Sequence, residues 1–503
     1  MSALLRLASA ALLMAVVTGM AGAQNLRIGL NSDPDALDPT TSRTVAARVV
    51  FAALCDKLID IDEKLQLVPQ LATEWAWSAD GKSLTFKLRP GVKFQDGEPL
   101  DAMAVKYSLE RHLTMPGSNR KNELGPLRNI EAVDNTTVRL DLAEPFSPLV
   151  AVLADRAGMI VSPKSAQSLG DKFSEHPVCA GAFKFAERVA QDRIVVERFQ
   201  DYWNAGNVHF DRVTYFPIPD AAVRAANLRA GGLDIAETLQ PTDVPTLKGD
   251  PRVRLETGAS LASVYIVINT SNGERSKTPL GQSAKVRQAL EAAIDRNLLN
   301  QVVFDGAFVP GNQSVPPGNP YYIKSLPVPP RDIANARTLL KEAGFDRVKI
   351  KLTVPNTTYY LQASQVLQSM VAEAGFDLEL TVVEVTTTLS QWVKGDFEAL
   401  IILWSGRVDL DANLYSFNAC DGSLNGSKYC NPRVDGFLKE ARSVTDYEQR
   451  YGAYEKATGI LLTELPYIYL WHPAMIYGVS QKIDGFRLVP DSLVRVVGLT
   501  LRP

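Results

Sequence analysis

The chain has 503 residues, of which 46% are hydrophobic and 22% charged, with a formal net charge of −3. A single hydrophobic core rarely serves more than about 250–300 residues, so two or three lobes are expected. The near-neutral balance and the lack of a basic block argue against a nucleic-acid partner, which needs a clustered cationic face.

In chain order, residues 1–23 read as a separate export segment. Arg6 gives a positive start, Leu7 to Val17 an apolar stretch, and Ala21-Gly22-Ala23 a small-residue cleavage site. The apolar part is short for a membrane span of about 20 residues. Cleavage after Ala23 is expected, with Gln24 as the mature start and no lipid-bearing cysteine beside it. Leu26 to Leu30 reads as a strand that ends in the loop Asn31-Ser32-Asp33-Pro34-Asp35, where prolines and aspartates halt pairing. Val45 to Leu58 reads as an apolar helix carrying Cys55. Asp80-Gly81 and Asp96-Gly97 are turn dipeptides around alternating strands. A helix over 102–111 and a strand over 136–142 follow.

In the second half, Val286, Ala289, Leu290, Ala293 and Ile294 form a helical stripe behind Ser283 as N-cap. Ala336, Leu339, Leu340 and Ala343 repeat it, with Asp332 at the start and Gly344 beyond the end. A strand over 349–354, a helix over 360–374 and strands over 378–383 and 399–403 alternate, which predicts an α/β lobe. A long helix over 447–465 is stopped by Pro466. The run Ala399-Leu400-Ile401-Ile402-Leu403 is apolar like a strand buried on both faces, then turns polar at Trp404-Ser405-Gly406-Arg407-Val408-Asp409-Leu410-Asp411. A strand end of this kind delivers polar groups to a cleft.

Four cysteines allow three pairings. Cys420 and Cys430 flank a short Gly/Ser/Asn loop and read as a local disulfide, which leaves Cys55 for Cys179. The rival is a metal site using His176 beside Cys179, but four tightly spaced ligands are not available. No GxSxG, HExxH, phosphate-cradling or dinucleotide loop occurs, and no nucleophile is paired with a base. The residues therefore call for no catalytic group, no cofactor and no metal.

Several long motifs resemble the family 5 extracellular solute-binding proteins, the dipeptide-, oligopeptide- and nickel-binding components of ABC importers. They are LVPQLATEWAWSADGKSLTFKLRPGVKFQDGEPLDAMAVKYSLER, HPVCAGAFKF with RFQDYW, LRAGGLDIAE, KVRQALEAAIDRNLL, NARTLLKEAGF and YCNPRVDGFLKEAR. Together they run through the mature chain. The resemblance implies a bilobal α/β periplasmic-binding fold of the large type, with mixed sheets in two lobes and an extra subdomain. Lobe I would span 24–265 with an insert at about 47–178, lobe II 266–470, and 471–503 would return to lobe I. A small-molecule or peptide ligand would be enclosed when the lobes close. The partners implied are an inner-membrane permease and its ATPase, with the carrier periplasmic and monomeric. A secreted hydrolase on the same scaffold, or a carrier of an opine, metal chelate or haem, is the alternative.

The resemblance also places the ligand wall at Trp404, Ser405 and Gly406, with Asn31 and Ser32 from the first lobe and Tyr359 and Tyr360 from the second. Dipeptide-type relatives carry an aspartate after W-x-G; here that position is Arg407. A guanidinium there can grip a ligand carboxylate, leaving Asp409 or Asp411 to meet an amine. Alternatively Arg407 pairs with Asp409 and braces the loop, and Trp404 caps its strand.

Overall fold

A computed structural model describes residues 24–502. The expected export segment and its cleavage site lie outside the described residues. The three larger sheets organise the chain. The first has seven strands in the order Val253–Ala259, Ala474–Ser480, Ile235–Ala236, Asn25–Leu30, Arg212–Pro217, Arg193–Arg198, Phe183–Val189. The second has six, in the order Val309–Pro310, Tyr467–His472, Ser263–Ile268, Ala399–Trp404, Val348–Pro355, Phe376–Val383. Both are mixed. Asn25–Leu30 runs parallel to both of its neighbours, and Val348–Pro355 to both of its own, while the other pairings are antiparallel. A four-stranded antiparallel sheet, Ala72–Trp77, Ser83–Leu88, Thr137–Leu142 and Leu127–Asp134, covers a core of its own.

Burial follows the apolar runs. Ser263–Ile268 and Tyr467–His472 are buried at every residue, as expected for central strands covered on both faces. Among the described residues the chain passes between the two main sheets twice, at 260–262 and at Pro473. These crossings lie side by side: the Ser260 hydroxyl donates to the Pro473 carbonyl, and the His472 ring Nδ1 lies 3.1 Å from the Ala262 carbonyl.

Several element ends differ from the sequence expectation. The first helix is Val45–Leu54, not 45–58, because Cys55 leaves in extended backbone and is bonded to Cys179. Its Val49 and Phe51 pack with Leu26 and Ile28 beneath the first sheet, whereas Leu58 belongs to the core of the four-stranded sheet. The apolar pattern ran across two cores. The helix expected over 102–111 extends to Thr114, and the one expected over 360–374 is Thr358–Ala372. Ser283 and Asp332 cap their helices as expected, and Asp446 caps a third, each side chain accepting an N–H three residues on.

Candidate functional site

A cavity of about 190 Å³ lies between the two main sheets, beside the crossings. The first-sheet side contributes Asn31, Ser32, Arg43, Arg224, Thr238 and Gln240, and the second contributes Thr357 to Tyr360, Leu389 and Ser405. Met475 and Tyr477 form its floor next to Pro473.

Asn31 and Ser32 occupy the first turn beyond the strand Asn25–Leu30. The Asn31 backbone N–H donates to Glu237 Oε1 at 2.9 Å, its side-chain amide to Thr238 Oγ1 at 3.3 Å, and Ser32 Oγ to Asn31 Oδ1 at 3.1 Å. Burial raises the Glu237 carboxyl to about 7, against the lowering effect of that N–H and of Arg224. Tyr359 and Tyr360 open the helix Thr358–Ala372, with ring centroids 4.2 Å apart, and burial pushes the Tyr359 hydroxyl up to about 12.

The strand Ala399–Trp404 brings only part of its expected set to this cavity. Ser405 lines it; Trp404, Gly406, Arg407 and Asp409 do not. Trp404 turns away, donating Nε1–H to Asn413 Oδ1 at 2.6 Å and meeting the Phe417 ring edge-on at 4.9 Å. Gly406 has φ +72°, and a Cβ there would sit 2.1 Å from the Leu261 carbonyl oxygen. Its role is to let the strand end pass against the crossing at 260–262.

Arg407 is not bound to Asp409; with Trp404, Asp155 and Asp409 it lines a second, smaller cavity of about 30 Å³. Its Nε lies 2.6 Å from Asp155 Oδ2, an ion pair without the alignment of a hydrogen bond, and its Nη1 donates to Ser405 Oγ at 3.2 Å. Burial lowers its pKa to about 10, although Asp155 opposes the shift. On the other side of Asp155, Arg48 donates Nε–H to Oδ1 at 3.0 Å and Nη1–H to Ser405 Oγ at 3.1 Å. Burial pushes the Asp155 carboxyl up, but Arg407, Arg48 and Arg156 outweigh it and hold the group well below the usual carboxylate range. Asp409 is bound twice by Arg450, at 2.7 and 2.9 Å, and Asp411 twice by Arg442, at 2.8 and 3.1 Å. Both carboxylates are thus paired with a cation of their own lobe. The reason is long-range: the arginines come from helices far along the chain.

Sequence reasoning missed Arg43, Arg224 and Met475. The signal was slight, because an arginine just before an apolar helix looks like ordinary surface. The four cysteines form two disulfides, Cys55–Cys179 and Cys420–Cys430. That removes the metal reading at His176. Among the described residues no helix is long and apolar enough to cross a membrane.

A family model described as bacterial extracellular solute-binding proteins, family 5 middle, matches residues 66–425. The chain is 30% identical over 486 residues to the glutathione-binding protein GsiB of Pectobacterium atrosepticum, covering 94% of this chain and 93% of that one. The Helicobacter pylori periplasmic binding protein DppA, solved with the peptide STSA, superposes with a TM-score of 0.87 at 25% identity, over 96% of this chain and 99% of that one. The Escherichia coli murein tripeptide binding protein MppA gives 0.88 at 24% identity, over 96% and 99%.

Proposed function

The chain belongs to the bacterial extracellular solute-binding proteins of family 5, and from that premise we propose that its two lobes close over the cavity at Asn31, Tyr359 and Ser405. It is a substrate-binding protein of an ABC importer, one that captures peptides or peptide-like small solutes. The observation that carries the site reading is the cavity wall itself, built from both lobes and from the crossings at 260–262 and 473. A ligand touching both walls biases the lobes toward the closed state. The two crossings serve as the hinge, since bending there repacks little core. We further assign the carrier to the periplasm after cleavage at Ala23, as a monomer that docks on an inner-membrane permease and its ATPase.

Hydrolysis is the poorer reading. The cavity wall has serines and threonines but no His, Cys, Asp or Glu to serve as base or metal ligand. A thermal-shift panel of glutathione, dipeptides and tripeptides tests the carrier reading. A solute at one hundred times its Kd should add about 2.7 kcal/mol of stability. The solute should be recovered chemically unchanged. Recovery of a cleaved product would reinstate the hydrolase.

A further inference from the structure

The cavity wall holds two guanidinium groups and no carboxylate. Arg224 is buried, and its nitrogens are engaged by backbone carbonyls: Nε donates to Glu237 at 3.0 Å, Nη1 to Pro219 at 3.0 Å and Nη2 to Thr238 at 2.6 Å. Arg43 is different. Its Nε and Nη2 donate to Asn119 Oδ1 at 3.0 and 2.8 Å, and Nη1 makes no hydrogen bond among the described residues. It also faces a more open groove beside the cavity, shared with Asp35, Leu389 and Lys394.

The surrounding field has the same sign. Three helices begin at the wall: Val45–Leu54, Thr358–Ala372 and Val385–Lys394. The last two have no side-chain cap hydrogen bond, so both starts offer amides at the wall, with the Glu384 carboxylate standing at the N-cap of the third. Thr357 Oγ1, beside the second of these starts, is buried without a partner. Behind Ser405 stand Arg48 and Arg407 with Asp155 between them.

Carboxylates near the cavity are already engaged: Glu237, buried behind the wall, accepts the Asn31 N–H at 2.9 Å. Asp35 accepts the N–H of Arg43 at 2.7 Å and the N–H and hydroxyl of Thr44 at 3.2 and 2.7 Å. Glu384 is exposed and accepts Asn356 Nδ2–H at 2.7 Å. Asp409 and Asp411 are tied to Arg450 and Arg442. No carboxylate belongs to the wall itself, so an ammonium enclosed there would lose its water without a direct counter-charge, at a cost of several kcal/mol.

We propose that this cavity takes an organic anion with an apolar body and no free ammonium group, its acid group facing Arg43. Amide-capped short peptides and aryl carboxylic acids share that chemistry. The inference rests on the solute-carrier reading and narrows it. Calorimetric titration of the purified protein separates the cases, with Leu-Leu, N-acetyl-Leu-Leu, N-acetyl-Leu-Leu-amide and 3-phenylpropionate as probes. The expected result is binding of N-acetyl-Leu-Leu at least about tenfold tighter than Leu-Leu, a gap of about 1.4 kcal/mol. Binding of 3-phenylpropionate in its place supports the same inference and assigns the ligand to aryl acids. Arg43→Gln should weaken the acid about tenfold and leave the neutral amide unchanged, a split that misfolding would not produce. Leu-Leu binding as tightly as its capped twin overturns the inference and leaves the carrier reading standing. Silence from all four probes overturns it too, and silence across the glutathione and peptide panel as well removes the carrier reading.

Discussion

Glu237 sits at the inner end of the first sheet, buried, with one N–H donor and Arg224 nearby. Its folded pKa of about 7 lies above the ordinary 4.5, so the folded chain holds the proton more tightly than the unfolded chain. Its contribution to stability is full below about pH 4.5 and is lost as the pH rises toward 7. Buried His112 and His472, pushed down to about 3 and 4 by burial, act oppositely and lose stability as the pH falls below about 6.5. The wild-type curve therefore mixes both signs, and only a mutant difference isolates Glu237. Glu237→Gln keeps the acceptor for Asn31 and removes the charge. Its Tm relative to wild type should rise between pH 5 and pH 7.5, by about 2–5 °C at the upper end. Parallel melting curves across that range would show an ordinary carboxylate. At this scale the sequence was a partial guide to the site. Asn31, Ser32, Tyr359, Tyr360 and Ser405 reach the cavity because each directly follows a strand end or opens a helix, positions that local pattern marks. Trp404 and Arg407 stand at an equally visible strand end yet point elsewhere, because Asn413 and Asp155 claim them. Nothing local encodes those partners.

Among elements, the helix Val45–Leu54 and the loop at Cys179 illustrate what one covalent link holds. Cys55 closes the helix, and Gly181 follows Cys179 so closely beneath it that a Cβ would sit 2.4 Å from the Leu54 carbonyl carbon. Gln95 ties the same place, accepting the Cys179 N–H at 2.9 Å and donating to the Leu54 carbonyl at 2.7 Å. The Cys55–Cys179 bond spans 124 residues and Cys420–Cys430 spans 10. Chain-entropy arguments give about 5 kcal/mol for the long loop and about 3 kcal/mol for the short one. The double variant C55A/C179A should lose more stability in chemical denaturation than C420A/C430A, by about 2 kcal/mol. The reverse order would mean that the hydrogen bonds from Gln95 already define the join. Element type was readable where the signal is local, as at the caps Ser283 and Asp332 and the stop at Pro466. Element ends failed where an apolar run served two cores in succession, as from Phe51 to Leu58.

For the whole molecule, the lobes are joined beside and beyond the crossings by a small set of polar contacts. Arg407 reaches Asp155, Arg48 reaches Ser405, and the Ser147 N–H donates to the Arg442 carbonyl at 3.0 Å. The Arg442 guanidinium lies 4.8 Å from the Phe146 ring centre. Opening at the crossings would break these contacts, so they add to whatever the ligand contributes to closure. The ion pair at Asp155 is the one with the strongest field, and it can be broken cleanly. Arg407→Gln removes the charge from the second lobe and leaves the Arg48–Asp155 bond intact within the first. Arg407 lies outside the larger cavity but lines the smaller one, so the radius of gyration of the unliganded variant is what separates an effect on closure from lost contact with the solute. The expected result is a larger radius of gyration for the unliganded variant and faster ligand release. Affinity should be about tenfold weaker, equivalent to ~1.4 kcal/mol taken from the closed state. Matching scattering curves and release rates would mean that the pair merely neutralises Asp155 in place, and that the solute alone holds the lobes together.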